Sequence, residues 1–402
     1  MRVQPITCLR PTPEHVAEFA SLPYDVFTEE EARAYVEEHP TSFLAIDRPE
    51  TGFAAGQDPH APEVYEHATK LLRERQLDRT LVRDEKPCLY LYELTTADGH
   101  KQIGVLGAIA TDDYLDGTLR KHELTLANKE QDRIDHIKAL RAQTGPVFVA
   151  YRDSFAIDCI VDAARQGTPL YDFVAKDGVR QRVWRVAREV GVDALAVAFS
   201  TVPCAYIADG HHRAAAAVSI CEERRAEGRV DDPAEAFLAV LFPASQLRIL
   251  AYDRVIELPE GFDEETFLRS LAEQGFDCGE TVPEALRPAQ KGTFGLFVHG
   301  AWRELRWKGA GDDLDVAVLQ DHVLGPLLGI EDPRTDARAS FVGGVEPNEL
   351  ERVAGDHAMA FSMYPTSMEE IMDIADEGGI MPPKSTWFDP KLQSGLAIRR
   401  IW

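Results

Sequence analysis

No Cys-x-x-Cys pair and no metal-finger spacing occurs in this sequence, although it holds six cysteines, Cys8, Cys88, Cys159, Cys204, Cys221 and Cys278. That excludes a zinc ribbon or a thioredoxin-type motif and reads as buried thiols in a reducing compartment, a cytoplasmic protein. Long apolar runs are also missing. None approaches 18 residues, so no transmembrane helix is expected. Met1 to Arg10 lacks the apolar stretch of a signal peptide. Basic surplus is absent as well: 43 Lys and Arg stand against 68 Asp and Glu, a formal net charge of −25. A nucleic-acid or anionic-membrane surface needs basic patches, so neither partner is expected, while a small local anion pocket stays possible. There are no internal repeats and no low-complexity tract. Apolar residues at 45% and charged residues at 28% are those of an ordinary globular protein, and 402 residues suffice for two or three domains.

The chain is punctuated by Asp209-Gly210-His211-His212-Arg213. An apolar run, Val202 to Ile207, leads in, and an alanine-rich helical stretch, Ala214 to Val218, leads out. A strand that turns and opens a helix presents unpaired backbone N–H groups, a ready anion site. Gly210 permits a sharp turn and close approach of a ligand. Asp209 can hold a metal ion or take a proton, and His211, His212 and Arg213 supply donors for phosphate oxygens. Asp209 could instead be only an N-cap and the histidines solvated. Three cationic or switchable groups at a helix start oppose the helix dipole, however, and something negative must offset them.

Elsewhere strands and helices alternate, which predicts a mixed α/β (α+β) fold. Thr28 and Glu31 form a capping box for a helix over Thr28 to Glu38. Ser42 to Ile46 reads as a strand. Asp98-Gly99 signals a hairpin between Pro87–Leu94 and Gln102–Ala110. Asn128 to Gln143 is a polar helix with Ile134, Ile137 and Leu140 turned inward. Leu247 to Leu258 reads as a strand, Leu314 to Leu328 as an amphipathic helix with His322 packed, and Pro347 to Gly355 as a helix. Lys121-His122-Glu123 places a carboxylate beside two bases that favour its ionised form, which suits a general base, although a surface charge cluster fits the same residues. The stretch from Met381 to Leu396 is proline-rich yet keeps Trp387, Phe388 and Leu392, so an ordered strap is expected. In it Lys384, Ser385, Thr386 and Lys391 can reach a phosphate.

With these pieces in view, the chain resembles the uncharacterised prokaryotic family called domain of unknown function 1015. Pro23-Tyr24-Asp25-Val26, Lys121-His122-Glu123, Gly145-Pro146, Ala208 to Arg213 and Met381 to Thr386 carry that likeness in the family's order. A narrower resemblance links Asp209 to Arg213 with free serine kinases of the ParB/sulfiredoxin superfamily. It implies a ParB/sulfiredoxin-like core over 111–260, flanked by α/β regions at 1–110 and 261–402. In those kinases the element holds nucleotide phosphates, and a glutamate after a histidine is general base on the serine hydroxyl. The resemblance therefore implies a nucleotide-dependent phosphotransferase with an alcohol group as acceptor, free L-serine first among small-molecule substrates. Glu123 would be the base, with His122 and Asp209 as catalytic partners. Gly210, His211, His212, Arg213, Lys384, Ser385 and Thr386 would bind phosphate, ATP or ADP would be donor, and Mg²⁺ would sit on Asp209. A ParB-like nucleotide switch without metabolite turnover and a phosphoester hydrolase remain open on the same residues. A sulfiredoxin-like redox role lacks the cysteine it needs at the helix start. The oligomeric state is not legible.

Overall fold

The computed structural model describes residues 1–229, 231–309, 311, 313–344 and 348–402. Contacts divide the chain into two compact units, Met1–Leu247 with Pro390–Trp402, and Arg248–Asp389. They do not follow the three consecutive regions 1–110, 111–260 and 261–402. The reason is a single sheet that draws strands from both sides of residue 110.

In the first unit the strands are β1 (Val3–Gln4), β2 (Cys8–Pro11), β3 (Leu81–Arg83), β4 (Leu89–Thr95), β5 (Lys101–Ala110), β6 (Leu119–Arg120), β7 (Ala142–Gln143), β8 (Val147–Tyr151), β9 (Tyr171–Val174), β10 (Arg180–Val186), β11 (Ala205–Asp209) and β12 (Ala236–Pro243). The main sheet runs β6-β11-β8-β12-β5-β4-β10-β9, with β1 on β5. β12 lies parallel to β8 and β11 parallel to β6, while the other pairs are antiparallel. β8 and β12 are buried at every position, as central strands covered on both faces must be. Val105, Val149, Leu195, Phe199, Ile207, Phe237 and Leu241 belong to the core around this sheet. Helices alternate with the strands, so the fold is mixed α/β.

Local signals place several elements. Thr28 and Glu31 exchange both capping-box hydrogen bonds at the start of helix Glu29–Glu38. Thr96 to Gly99 closes the β4–β5 hairpin. Ser42 to Ile46 is not a strand: Leu44–Asp47 is one turn of helix, with Phe43, Leu44 and Ile46 buried. A short apolar run has no periodicity to separate the two, and packing decided it. The polar helix spans Ala127–Leu140, and Gln143 belongs to β7 instead.

The chain end returns to this unit. Strand Ile398–Arg400 pairs with β2 and β7 in the sheet β3-β2-(398–400)-β7. Gly395 makes the return possible. Its φ is +83°, and a Cβ there would stand 2.6 Å from Phe43 Cγ, so both backbone and space exclude a side chain.

The second unit carries β13 (Arg248–Leu250), β14 (Tyr252–Glu257), β15 (Phe276–Val282), β16 (Thr293–Val298), β17 (Ala301–Trp307), β18 (Ala339–Gly343), β19 (Ala358–Ser362) and β20 (Trp387–Asp389). Six form an antiparallel sheet, β15-β17-β16-β19-β14-β18, and β13 pairs with β20. Leu247 to Leu258 is thus two strands, broken at Ala251. The expected long helix is Asp315–Leu319, a π turn over Gln320–Leu324, and Gly325–Leu328. His322 stacks on Trp307 at 4.3 Å. Of the helix expected over Pro347 to Gly355, Glu349–Ala354 is helical and Pro347 lies outside the described residues. No described helix is long and apolar enough to cross a membrane.

Candidate functional site

β11 ends at Asp209, Gly210 turns with φ 94° and ψ 31°, and His211 opens the helix His211–Ala226. A bulge between Ile207 and Asp209 shifts the register against β8 at this point, the usual device for re-aiming a side chain at a sheet edge. The helix's first internal bond is Ala214 N–H to Gly210 O at 3.0 Å, so the helix itself makes no use of the N–H groups of 211–213. Glycine suits position 210 because its backbone is left-handed; a Cβ would also stand 2.9 Å from Arg213 Nε, and the guanidinium would have to shift.

Arg213 folds back across the turn. Its Nη1 donates to Pro146 O at 2.5 Å, and its Nη2 lies 3.5 Å from Asp209 Oδ1. A Cβ at Gly145 would meet Arg213 Nη1 at 3.3 Å, so the guanidinium packs closely on that backbone. Lys391, from the returning C-terminal segment, donates to Asp209 Oδ2 at 2.9 Å. Burial works against the Asp209 carboxylate, but Lys391 and Arg213 outweigh it and hold the group ionised, below the usual carboxylate range.

His122 and Glu123 lie between β6 and the helix Ala127–Leu140. The main sheet sets β6 beside β11, and this brings residues 122–123 to 209–213 across more than 80 positions of sequence. The His122 and His211 rings meet edge to face at 4.5 Å. Glu123 Oε2 is 3.7 Å from His211 Nδ1. Leu126 N–H donates to His212 Nε2 at 3.0 Å, so one nitrogen of this ring serves to anchor the Ala127 helix. The expected phosphate residues of the strap belong to the second unit. There Ser385 is buried with its hydroxyl donating to Pro382 O at 2.5 Å. Lys384 is exposed, at φ 55°, with its ammonium 5.2 Å from the Tyr252 ring, and Thr386 is half-buried. Cys204 sits 3.3 Å from Tyr206 Oη in the run-in to the motif.

His122 is 2% exposed and His211 5%. His122 Nδ1 and His211 Nε2 are buried without a hydrogen-bond partner. A ring nitrogen in that state lacks one favourable contact, and a ligand can supply it. Burial pushes His122 down to about 4, against a pull from Asp209, and burial followed by His122 pushes His211 well down. Both rings are therefore neutral near pH 7, and His211 makes no ion pair with Glu123.

The pH dependence has a definite sign. Folded His122 titrates near 4 and the unfolded ring near its ordinary 6.5. Between these values only the unfolded chain binds the proton, so the stabilisation is present above 6.5 and is lost as pH falls toward 4. At pH 5 His122 alone is expected to cost about 2 kcal/mol relative to pH 7.5. Urea midpoints at both pH values should show a gap that shrinks by this amount in His122→Asn. An unchanged gap would show that the ring is protonated in the fold.

A second layer lies behind Arg213. A cavity of about 30 Å³, room for roughly one water, is shared by Arg213 with Tyr24, Asp47, Arg133, His136 and Gln143. Arg133 stacks 3.9 Å over Tyr24 and is bound by Asp132 at 2.6 Å and Asp47 at 3.3 Å. Arg48 Nη1 donates to the carbonyls of Tyr24 and Phe27. Burial raises the Tyr24 hydroxyl to about 12. Sequence reading singled out Tyr24 but not Asp47 or Arg133. A buried Arg in a helix whose pattern is otherwise polar gives no signal of its own.

The described residues contain no group of three or more His, Cys, Asp or Glu side chains able to hold a metal ion. No curated protein matches the chain. Among solved structures, a mutant free serine kinase in complex with ADP is similar over 71% of this chain and 87% of its own, with 14% identity and a TM-score of 0.38. A conserved hypothetical protein from Pyrococcus furiosus matches over 73% and 95%, with 15% identity and a TM-score of 0.38. C-terminally truncated SbnI from Staphylococcus aureus matches over 73% and 87%, with 12% identity and a TM-score of 0.37. Matching the family described as protein of unknown function (DUF1015) over residues 3–322, the chain belongs to that family.

Proposed function

We propose that this protein is a nucleotide-dependent phosphotransferase acting on a small hydroxylated metabolite, with free L-serine as the first candidate. The observation that carries this reading is the meeting of His122-Glu123 with Asp209–Arg213. Glu123 Oε2 lies 3.7 Å from the first residue of a helix whose N-terminus is built for anions. The choice of serine rests on the resemblance of Asp209–Arg213 to the free serine kinase element and on nothing else.

In this reading the phosphates lie on the N–H groups opening the His211 helix, with Arg213 as a further contact, joined by His211 Nε2 and His122 Nδ1 in the tautomers that carry the proton on those atoms. Glu123, 36% exposed, faces the acceptor. The acceptor oxygen attacks the transferred phosphorus, its proton passes to the Glu123 carboxylate, and the bond from phosphorus to the departing nucleotide oxygen breaks with its electron pair. Such a transfer depends on positioning and charge neutralisation. Mg²⁺ would supply part of that neutralisation. An ion arriving on a nucleotide keeps phosphate and water ligands and needs one or two carboxylates. Asp209 fits that need, provided Lys391 leaves Oδ2.

The test is a transfer screen with Mg²⁺, each of ATP, ADP, CTP and GTP, and a pool of hydroxylated amino acids, read by mass spectrometry. Phosphoserine from the wild type, lost in Asp209→Asn, is the expected result. Nucleotide binding without any transfer would replace the kinase by a nucleotide switch. Phosphate release from phosphorylated metabolites alone would replace it by a hydrolase.

A further inference from the structure

The functional reading leaves one charged group at the site unused. Lys391 reaches Asp209 from 182 positions away, beyond the 3–322 span of the family match. Its segment is firmly held. Ser394 and Ser21 exchange backbone bonds at 2.7 and 3.3 Å. Gln393 N–H donates to Tyr92 Oη at 3.2 Å, and its amide donates to Asp177 at 3.3 Å. Leu392 is buried. The backbone carrying Lys391 is thus fixed by the fold, which leaves only side-chain freedom to lose on meeting a ligand.

Two cations, Lys391 and Arg213, meet at the Asp209 carboxylate beside the N-terminus of the His211 helix. Lys391 and Arg213 are mostly shielded, their side chains 15% and 13% exposed. The helix N-terminus adds positive potential at the same point. A phosphate arriving there meets both cations and the positive end of the helix. Independently, His122 Nδ1 and His211 Nε2 are buried with no hydrogen-bond partner, and each can donate to a phosphate oxygen in the tautomer that carries its proton there.

We propose that Lys391 is a phosphate-binding residue of this site, so that the C-terminal segment completes the nucleotide pocket. Asp209 parks the ammonium at the strand–helix turn, and phosphate oxygens take it over when a nucleotide binds. This inference rests on the phosphotransferase reading only in its choice of a nucleotide as the anion.

Calorimetric titration of the full chain with ADP, with and without Mg²⁺, tests it. Lys391→Gln, which keeps a donor for Asp209 but no charge, is expected to weaken ADP by about tenfold or more, the size of one charge-assisted hydrogen bond. Lys391→Arg should bind within about threefold of wild type, since the charge is kept. Equal affinity of wild type and Lys391→Gln overturns the inference and leaves the phosphotransferase reading standing. Equal losses in the Gln and Arg variants overturn it too, because a purely structural contact behaves that way. If the wild type binds no nucleotide, both fall. Should Lys391→Gln not fold, acetylation of wild-type Lys391, followed by peptide mass spectrometry, decides. ADP is expected to change its reactivity, and an unchanged rate overturns the inference.

Discussion

On the proposed phosphotransferase reading, Glu123→Gln is expected to slow phosphoryl transfer at least about 100-fold while nucleotide affinity stays within about threefold, the signature of a lost general base. The substitution preserves shape and removes the negative charge together with the ability to take a proton. It should also leave the fold intact. The Glu123 side chain is 36% exposed, and its neighbour His211 is held neutral by burial, so the 3.7 Å approach between them is no ion pair. Single-turnover rates with saturating nucleotide separate chemistry from binding. A rate equal to wild type would remove Glu123 from the reaction and leave the acceptor hydroxyl to another base. A parallel loss of affinity would instead make Glu123 a ligand of the nucleotide or its ion.

Arg133→Met is expected to destabilise the first unit by about 3–5 kcal/mol, the range found when one partner of a buried ion pair is removed. Arg133 and Asp47 are nearly shielded, with side chains 9% and 3% exposed, and Asp132 is 17% exposed. Losing the guanidinium takes the arginine partner from buried Asp47 and one contact from Asp132, which still accepts from Tyr65 Oη at 2.8 Å, and removes the platform 3.9 Å from the Tyr24 ring. Arg133→Lys should recover only part of the loss, because an ammonium cannot span Asp47 and Asp132 as a planar fork does. Denaturant midpoints measure both variants. A change below about 1 kcal/mol in Arg133→Met would place these charges in contact with water. The same substitution should reach the site as well, since Tyr24 and Arg133 share a cavity with Arg213.

Much of the local architecture was legible from residue order. The Thr28–Glu31 capping box, the Asp98-Gly99 hairpin and the strand–turn–helix at Asp209-Gly210-His211 all depend on hydrogen bonds and dihedral preferences within a few residues. Where a short run offered no period, as at Ser42 to Ile46, the reading took a strand and burial of Phe43 and Leu44 made a helical turn. The formal net charge of −25 was also legible, because net charge is a sum and needs no fold.

What sequence alone could not decide was adjacency. His122-Glu123 stands beside His211 because β6 pairs with β11, and that choice lies in a sheet whose strands come from most of the first 243 residues. Lys391 meets Asp209 because Gly395, in a left-handed turn against Phe43, and strand 398–400 carry the chain end back to the first unit. The strap was expected to be ordered and is, but it divides at residue 389: Lys384, Ser385 and Thr386 belong to the second unit and Lys391 to the first. Residue identity thus determined which chemistry the chain can hold. Long-range strand pairing decided which groups share a site, because its free energy comes from burial of a whole sheet and not from any one segment.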